Sequence, residues 1–587
     1  MKCRILYPIS LLCLLLCLSA LCIGTAALEA GADGRVHLQS AEDVLALMCD
    51  ETLWSSSIVL DRTVDLGGAD GQTPIGSADN RFCGEFDGQG YAVEGIDIDG
   101  GADNFIGLFG VVDNGKIHDL TVRGEVTSTG LYVGGLCGAI YEGSEIVNCV
   151  NYCTVTGSTE VGGLIGVIAA GVSGSTTLGT SDDAAADLLL SGCVNRGSVT
   201  SSATMAGGIA GSLRAGTLNA VNAVQILRCA NDGRVVGGSA AAYKSYVGGI
   251  VGIIADTASA ITLSECKNAG EIYGLTYVGG IAGGIRIYAG AANKATVSFC
   301  HNGGVVHSAN TAAAQTSGGI VGGQLYASGT TAYSWTISNC YNDGKLLSSY
   351  SGTTTNLRTI VGTPRKFAPS ANFYNADSGI DADSAGGRFA VAAADVGREA
   401  AFTASDGSKL QGDNGEWTFT VTGPELTAFH VHTPAGDGEV TKAPTLTENG
   451  EMTYDCSTCG ACYTEDIPRL AAQLGAGGVY AAKYSDGTAT LRFITTIALA
   501  ADSVVTVRSF GTFISRIEIG ETGSSDFVRV EKDEPLSADT SFAVDLTGIP
   551  EASADTQIFA WSFAVLSNGE TVGIAFSPVT VNGLIGG

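Results

Sequence analysis

Apolar positions in the first two-thirds of the chain come in short runs. Ile146–Asn151, Val224–Cys229, Ala295–Cys300 and Trp335–Cys340 are often β-branched and are closed or soon followed by Asn or Gly. None holds a 3.6-residue period over helical length, so the runs predict strands. They share a frame. The triplet C-x-N occurs at Cys149–Asn151, Cys193–Asn195, Cys229–Asn231, Cys266–Asn268, Cys300–Asn302 and Cys340–Asn342. In all but the first, Gly follows two residues after the Asn (Gly197, Gly233, Gly270, Gly304, Gly344). Glycine pairs alternate with these triplets, in Val133-Gly-Gly-Leu136, Val161-Gly-Gly-Leu164, Ala206-Gly-Gly-Ile209, Val247-Gly-Gly-Ile250, Val278-Gly-Gly-Ile281 and Ser317-Gly-Gly-Ile320. Successive signature cysteines lie 34 to 44 residues apart. Such a period predicts a solenoid of stacked coils.

An inward residue at a fixed place in the frame falls on its copies in neighbouring coils. Cys is small and apolar enough to line a narrow interior. Asn two residues later points to the same side. Stacked Asn side chains satisfy one another and the turn backbone. The Gly after Asn is expected to permit a left-handed turn, and the glycine pairs to mark another corner or a close approach of coils. The frame extends outward with substitutions, at Ile96-Asp-Ile98-Asp-Gly100, Leu120-Thr-Val122-Arg-Gly124 and Phe373-Tyr-Asn375.

The expected fold is all-β: a right-handed parallel β-helix, a small Cys/His module and a C-terminal antiparallel β-sandwich. Residues 28–81 form an N-terminal cap, with a strand at Val36–Leu38, a helix from Ser40 to Cys49 and a strand-like Ser56–Leu66. Residues 82–376 are the repeats. A joint over 377–428 carries a short helix at Gly387–Glu399 and a strand at Trp417–Val421. The module spans 429–470. Within 471–587, strands are expected at Thr490–Ile497, Val504–Phe510, Ser541–Leu546, Ile558–Val565 and Thr571–Phe576.

The glycine-paired runs resemble the GLUG motif of bacterial surface proteins. Phe82-Cys-Gly-Glu-Phe-Asp-Gly-Gln-Gly90, followed by Ile106-Gly-Leu-Phe-Gly110, is similar to that family's opening coils. The resemblance covers about residues 58–375. It implies an exported cell-surface protein of a Gram-positive bacterium and no particular activity. His432, Gly450, Tyr454, Cys456-Ser-Thr-Cys459-Gly460 and Ile467-Pro468 resemble a short repeat of clostridial-type surface proteins. That repeat has a further Cys where this chain has Leu446, and Cys462 is the substitute at hand. Leu491-Arg-Phe493, Phe510-Gly-Thr-Phe513 and Gly548-Ile-Pro550 resemble a domain of similar surface proteins.

Composition narrows the function. A chain of 587 residues with 83 Gly exceeds one compact core and suits an array. A net charge of −29 lacks the basic footprint of a nucleic-acid binder. Lys2 and Arg4 precede the apolar run Ile5–Ile23, and Thr25-Ala26-Ala27 offers a cleavage site. Residues 1–27 therefore read as a signal peptide, with an uncleaved anchor helix as the alternative because the run is nearly long enough to span a membrane. The protein reads as secreted or cell-surface, with no transmembrane segment in the mature chain. Its expected partner is a host or bacterial surface protein or a glycan.

Candidate chemistry is sparse. The cysteine ladder reads as packing, against disulfides between coils or a row of metal ligands. Cys153 stands where later coils have Gly, and either pairs with Cys137 or stays free. Cys456 and Cys459 have zinc-ligand spacing, with His432 or His430 and Cys462 to complete a structural site. A local disulfide competes. Acids in the repeats are scattered: Asp182-Asp183 fall in an insertion, Asp381 and Asp383 past the array, and His118, His301 and His307 show no paired spacing. No catalytic residues are expected, and polysaccharide lyase or hydrolase chemistry is the competing reading. Phe559, Trp561 and Phe563 alternate and share one face, either the sandwich core or a platform for sugar rings.

Overall fold

The computed structural model describes residues 28–586 apart from 171–186, 216–222, 239–244, 256–259, 288–293, 312–315, 327–335, 351–356, 363–367, 379–387, 484–485, 501–505, 518–526, 534 and 537–538. Residues 1–27, expected to be a signal peptide, and Asp182, Asp183, Asp381 and Asp383 lie outside the described residues. The chain divides into two compact units between Val431 and His432.

The first unit is the parallel β-helix. One sheet takes a strand from each turn of the ribbon, eleven in all, from Val36–Leu38 through Glu145–Val147 to Ala368–Ser370. A second face holds two short strands per coil around the signature Asn, such as Val150–Asn151 and Thr154–Gly157. Two seven-stranded sheets complete the coil, running from Leu131–Gly134 to Leu357–Arg358 and from Phe109–Val112 to Val321–Tyr326. Pairing across all four faces is parallel. Each inward position therefore meets its own copy. Ile146, Leu190, Ile226, Leu263, Val297 and Ile337 stand in register as one fully buried column. Each such side chain contributes about 1.5–3 kcal/mol by leaving water.

The glycines serve differently from the expectation. The left-handed residue is the one before each Cys: Asn148, Gly192, Arg228, Glu265, Phe299 and Asn339 have φ of 53°, 66°, 53°, 54°, 49° and 55°. The Gly after each Asn does not have positive φ. It is small because the next coil is close: a Cβ on Gly233 would lie 1.9 Å from the Gly197 carbonyl oxygen, and one on Gly270 2.0 Å from that of Gly233. The second glycine of each pair is a close approach too, and faces the Asn column. A Cβ on Gly163, Gly208 or Gly249 would lie 2.3–2.5 Å from Cγ of Asn195, Asn231 or Asn268.

Both ends depart from the expected frame. Leu120 and Val122 do continue it, since Val122 pairs with Asn151. One coil earlier the partner of Val122 is Val93, and Ile98 pairs with Val126. A bulge between Val93 and Ile96, with Gly95 at φ 66°, shifts the register there. At the far end Tyr341 pairs with Phe373 and Asn342 with Tyr374, one residue off. The parallel pairing also begins before Phe82, because Val36–Leu38 and Ser57–Leu60 already belong to the first sheet. Helix Ala41–Cys49, with Ser40 and Asp43 in a capping box, adds Val44, Leu47 and Met48 to the core.

The helix expected at Gly387–Glu399 is absent among the described residues. Arg388–Val391 instead extends the ribbon by a parallel strand on Asn372–Asn375, followed by 3₁₀ turns at Ala393–Asp395 and Glu399–Phe402. A free strand edge overrides local propensity. The joint packs Phe402, Leu410, Trp417 and Leu426 onto Tyr341 and Phe373.

The second unit holds a three-stranded antiparallel ribbon of Glu439–Lys442, Gly450–Asp455 and Cys462–Ile467. Two antiparallel sheets follow, one of Ala472–Lys483, Thr488–Leu499 and Thr540–Pro550, the other of Phe527–Lys532, Val507–Ser515, Phe559–Leu566 and Thr571–Ala575. Leu491 and Phe493 of one share a core with Ile514 and Ala560 of the other.

Candidate functional site

The ribbon places the thiols. Gly460 at φ 73° turns the chain after Cys459, and the backbone N–H groups of Cys456 and Gly460 donate to the Ala461 and Cys456 carbonyls at 2.8 and 2.9 Å. The His-bearing segment lies alongside: Ser457 N donates to Thr433 O at 2.8 Å and Ala435 N to Asp455 O at 2.9 Å. His432 Nδ1 consequently sits 3.6 Å from Cys459 Sγ. Donor atoms of His432, Cys456 and Cys459 all lie within 4.8 Å of one another. The His432 ring stacks on Tyr463 at 4.7 Å, and Tyr463 on Tyr454 at 5.4 Å. Burial pushes the Cys456 thiol up, but hydrogen bonds from Thr458 Oγ1 and from backbone N–H groups outweigh it and bring it down to about 4.

Cys462 does not join them. It is exposed, stands opposite Asp455 across the hairpin, and donates to Asp455 Oδ1 at 2.9 Å. That carboxylate raises its thiol. His430, in the first unit, has Nδ1 3.0 Å from Glu425 Oε2.

The amide ladder is continuous. Asn151, Asn195, Asn231, Asn268 and Asn302 each donate through Nδ2 to Oδ1 of the next Asn, at 2.8, 2.8, 2.8, 2.7 and 2.7 Å, ending on Asn342. Each Nδ2 also donates to the carbonyl two residues on, as Asn231 does to Gly233 O at 2.8 Å. All six are fully buried. Beside them Cys149, Cys193, Cys229, Cys266, Cys300 and Cys340 are buried and free, their Sγ atoms donating to nearby carbonyls, as Cys300 does to Ser298 O at 3.2 Å. Burial pushes the Cys149 and Cys300 thiols well above their usual range. Cys137 and Cys153 are likewise buried and free, with burial raising Cys153 to about 12.

Side chains from neighbouring coils also meet, at half-buried His118, which bonds its chain neighbour Asp119 as well, and at buried His301. His118 reaches Asp119 at 3.0 Å, Glu85 at 3.3 Å and Asp87 at 3.5 Å. His301 Nε2 meets Asp343 at 2.9 Å. Local spacing did not mark these groups; the parallel register, which sets position i against its copy one coil away, is the signal that finds them.

One aromatic row of the sandwich lies on the side of its sheet away from the other sheet, with Phe559, Phe513 and Trp561 half-buried and Phe563 buried beneath its neighbours. Thr495 donates to Ser562 Oγ at 2.7 Å, and Thr512 lies 2.7 Å from the same atom, so Thr512 and Ser562 point between the sheets. Their neighbours Phe513, Trp561 and Phe563 alternate to the opposite face. Phe513 and Trp561 stack at 5.7 Å, and Arg529 lies 5.4 and 5.1 Å over the rings of Phe513 and Phe563.

No family model matches the chain, and no solved structure is significantly similar. A stretch of 140 residues, 23% of the chain, is 29% identical to halomucin of Haloquadratum walsbyi. A stretch of 78 residues, 13% of the chain, is 40% identical to a putative Gly-rich membrane protein of Evansella cellulosilytica. The matches span 2% and 9% of the lengths of those two proteins. Among the described residues, no helix is long and apolar enough to cross a membrane.

Proposed function

We propose that this protein is a non-enzymatic, exported cell-surface spacer, a GLUG-type rod that presents its C-terminal modules to a surface protein or glycan. The observation that carries the reading is the filled interior. Aliphatic, thiol and amide columns stack through the coils from Cys149 to Asn342, and the amides bond each of these coils to the next, which suits bearing length and load. The local similarity to halomucin and to a Gly-rich membrane protein supports a place at the cell boundary. Mature protein is incubated with intact cells and with a glycan panel, scoring retention and new reducing ends. Retention without products is expected; released sugars overturn the reading.

A second reading, glycan binding, is favoured by the half-buried rings of Phe513 and Trp561, which stack with Arg529 over the Phe513 ring. Rings of this kind stack on the apolar faces of sugars, and a guanidinium donates to hydroxyls. Trp561→Ala abolishing glycan retention with the fold intact would select it.

A further inference from the structure

We propose that His432, Cys456 and Cys459 bind a structural zinc ion that fastens the ribbon of residues 432–470. Three independent observations lead there.

The first is geometric. Tetrahedral zinc with Zn–S of about 2.3 Å and Zn–N of about 2.0–2.1 Å separates a nitrogen ligand from a sulfur ligand by about 3.6 Å. The Nδ1–Sγ separation of His432 and Cys459 is 3.6 Å, and all three donor atoms fall inside 4.8 Å. Two thiolates and an imidazole are the soft and borderline donors that select zinc over calcium or magnesium.

The second is the missing core. From His432 to Leu470 the buried residues are Gly450 and Cys456 alone, and all of Glu439–Lys442 is exposed. A segment of this size without apolar burial needs a covalent or metal staple. The one side chain it does bury is a proposed ligand.

The third is preorganisation. The Thr433–Ser457 and Ala435–Asp455 backbone bonds clamp the imidazole-bearing segment to the turn, and the Tyr463 ring fixes the plane of His432. A Cys456–Cys459 disulfide would staple only the turn to itself, and would not use the imidazole held beside it. Zinc ties the turn to the segment before the first strand, closing the ribbon. Binding displaces thiol protons to solvent, with no change of oxidation state. The fourth corner is left to water or a further donor.

The test uses the full exported chain, purified without chelator. Mass-spectrometric metal analysis is expected to give about one zinc per chain. Cys456→Ser, Cys459→Ser and His432→Ala each lose it, whereas Cys462→Ser keeps it. Cobalt exchanged into the wild-type site shows thiolate-to-cobalt charge transfer, giving a ligand readout that does not depend on the folding of a variant. Chelation speeds proteolysis inside 432–470, and added zinc reverses this. A Cys456–Cys459 disulfide in the isolated protein, a reduced protein without zinc, or loss of zinc in Cys462→Ser overturns the proposal.

Discussion

Gly208 has no room for a side chain because the Asn231 carboxamide fills the space: a Cβ there would lie 2.3 Å from both Cγ and Oδ1. The glycine pairs and the C-x-N triplets are thus two sides of one contact across the interior. Gly208→Ala is expected to destabilise the array by about 1–3 kcal/mol, since overpacking displaces neighbours that have no free volume. Denaturant midpoints check this.

Adjacent glycines give a sharper contrast. A Cβ on Gly304 would sit 2.1 Å from the Gly270 carbonyl oxygen, whereas one on Gly303 meets nothing closer than Asp343 Oδ1 at 3.4 Å. Gly304→Ala should lower the melting temperature clearly, and Gly303→Ala should leave it nearly unchanged. Equal effects would show that these glycines are kept for chain flexibility and not for space.

The ladder should be more sensitive in its middle than at its start. Asn231→Ala removes the acceptor for Asn195 and the donor to Asn268, while Asn151→Ala removes a single rung. Each buried polar atom left without a partner costs about 1–3 kcal/mol. The expected order of unfolding midpoints is wild type, then Asn151→Ala, then Asn231→Ala.

Thiol labelling separates the cysteines. Cys49, Cys83 and Cys462 are exposed and should react with a maleimide in the native protein. The six ladder thiols should react only after unfolding, because burial excludes the reagent.

The histidine near the array's start gives a pH signature. Hydrogen bonds to Asp61 and then Asp33 raise His37, and the bond from His37 lowers Asp61. The stability His37 adds is fully present below about pH 6.5, its unfolded value, and is lost as pH rises through its higher folded value. The Asp61 share is present above about pH 3.9 and is lost as pH falls through its lower folded value. The melting difference between wild type and His37→Ala should therefore be larger near about pH 5 than near about pH 9. Added salt should shrink it, since solvent reaches both members of the pair.

The array was legible because its signal is local and repeated: Cys149 to Asn342 carry one frame, and inward residues in a parallel stack tolerate little change. What stayed hidden depends on contacts between coils. No stretch of sequence says whether Gly233 is needed for its dihedral or for the Gly197 carbonyl above it. The slip that sets Tyr374, and not Asn375, opposite Asn342 is decided by pairing. That Trp561 and Phe563 lie away from the opposing sheet follows from which side that sheet covers, and alternation alone cannot choose a side. In the ribbon, the Cys456–Cys459 spacing marked the site, but hairpin register sends Cys462 to Asp455.

Each amide from Asn195 to Asn302 accepts from the coil before it and donates to the coil after it. These coils therefore offer identical half-bonds above and below, like the stud and socket of a building block. Gain or loss of a whole turn preserves the joinery, while a partial turn misaligns it. The number of coils is the property such an array can change most freely, since every rung that remains keeps its partner.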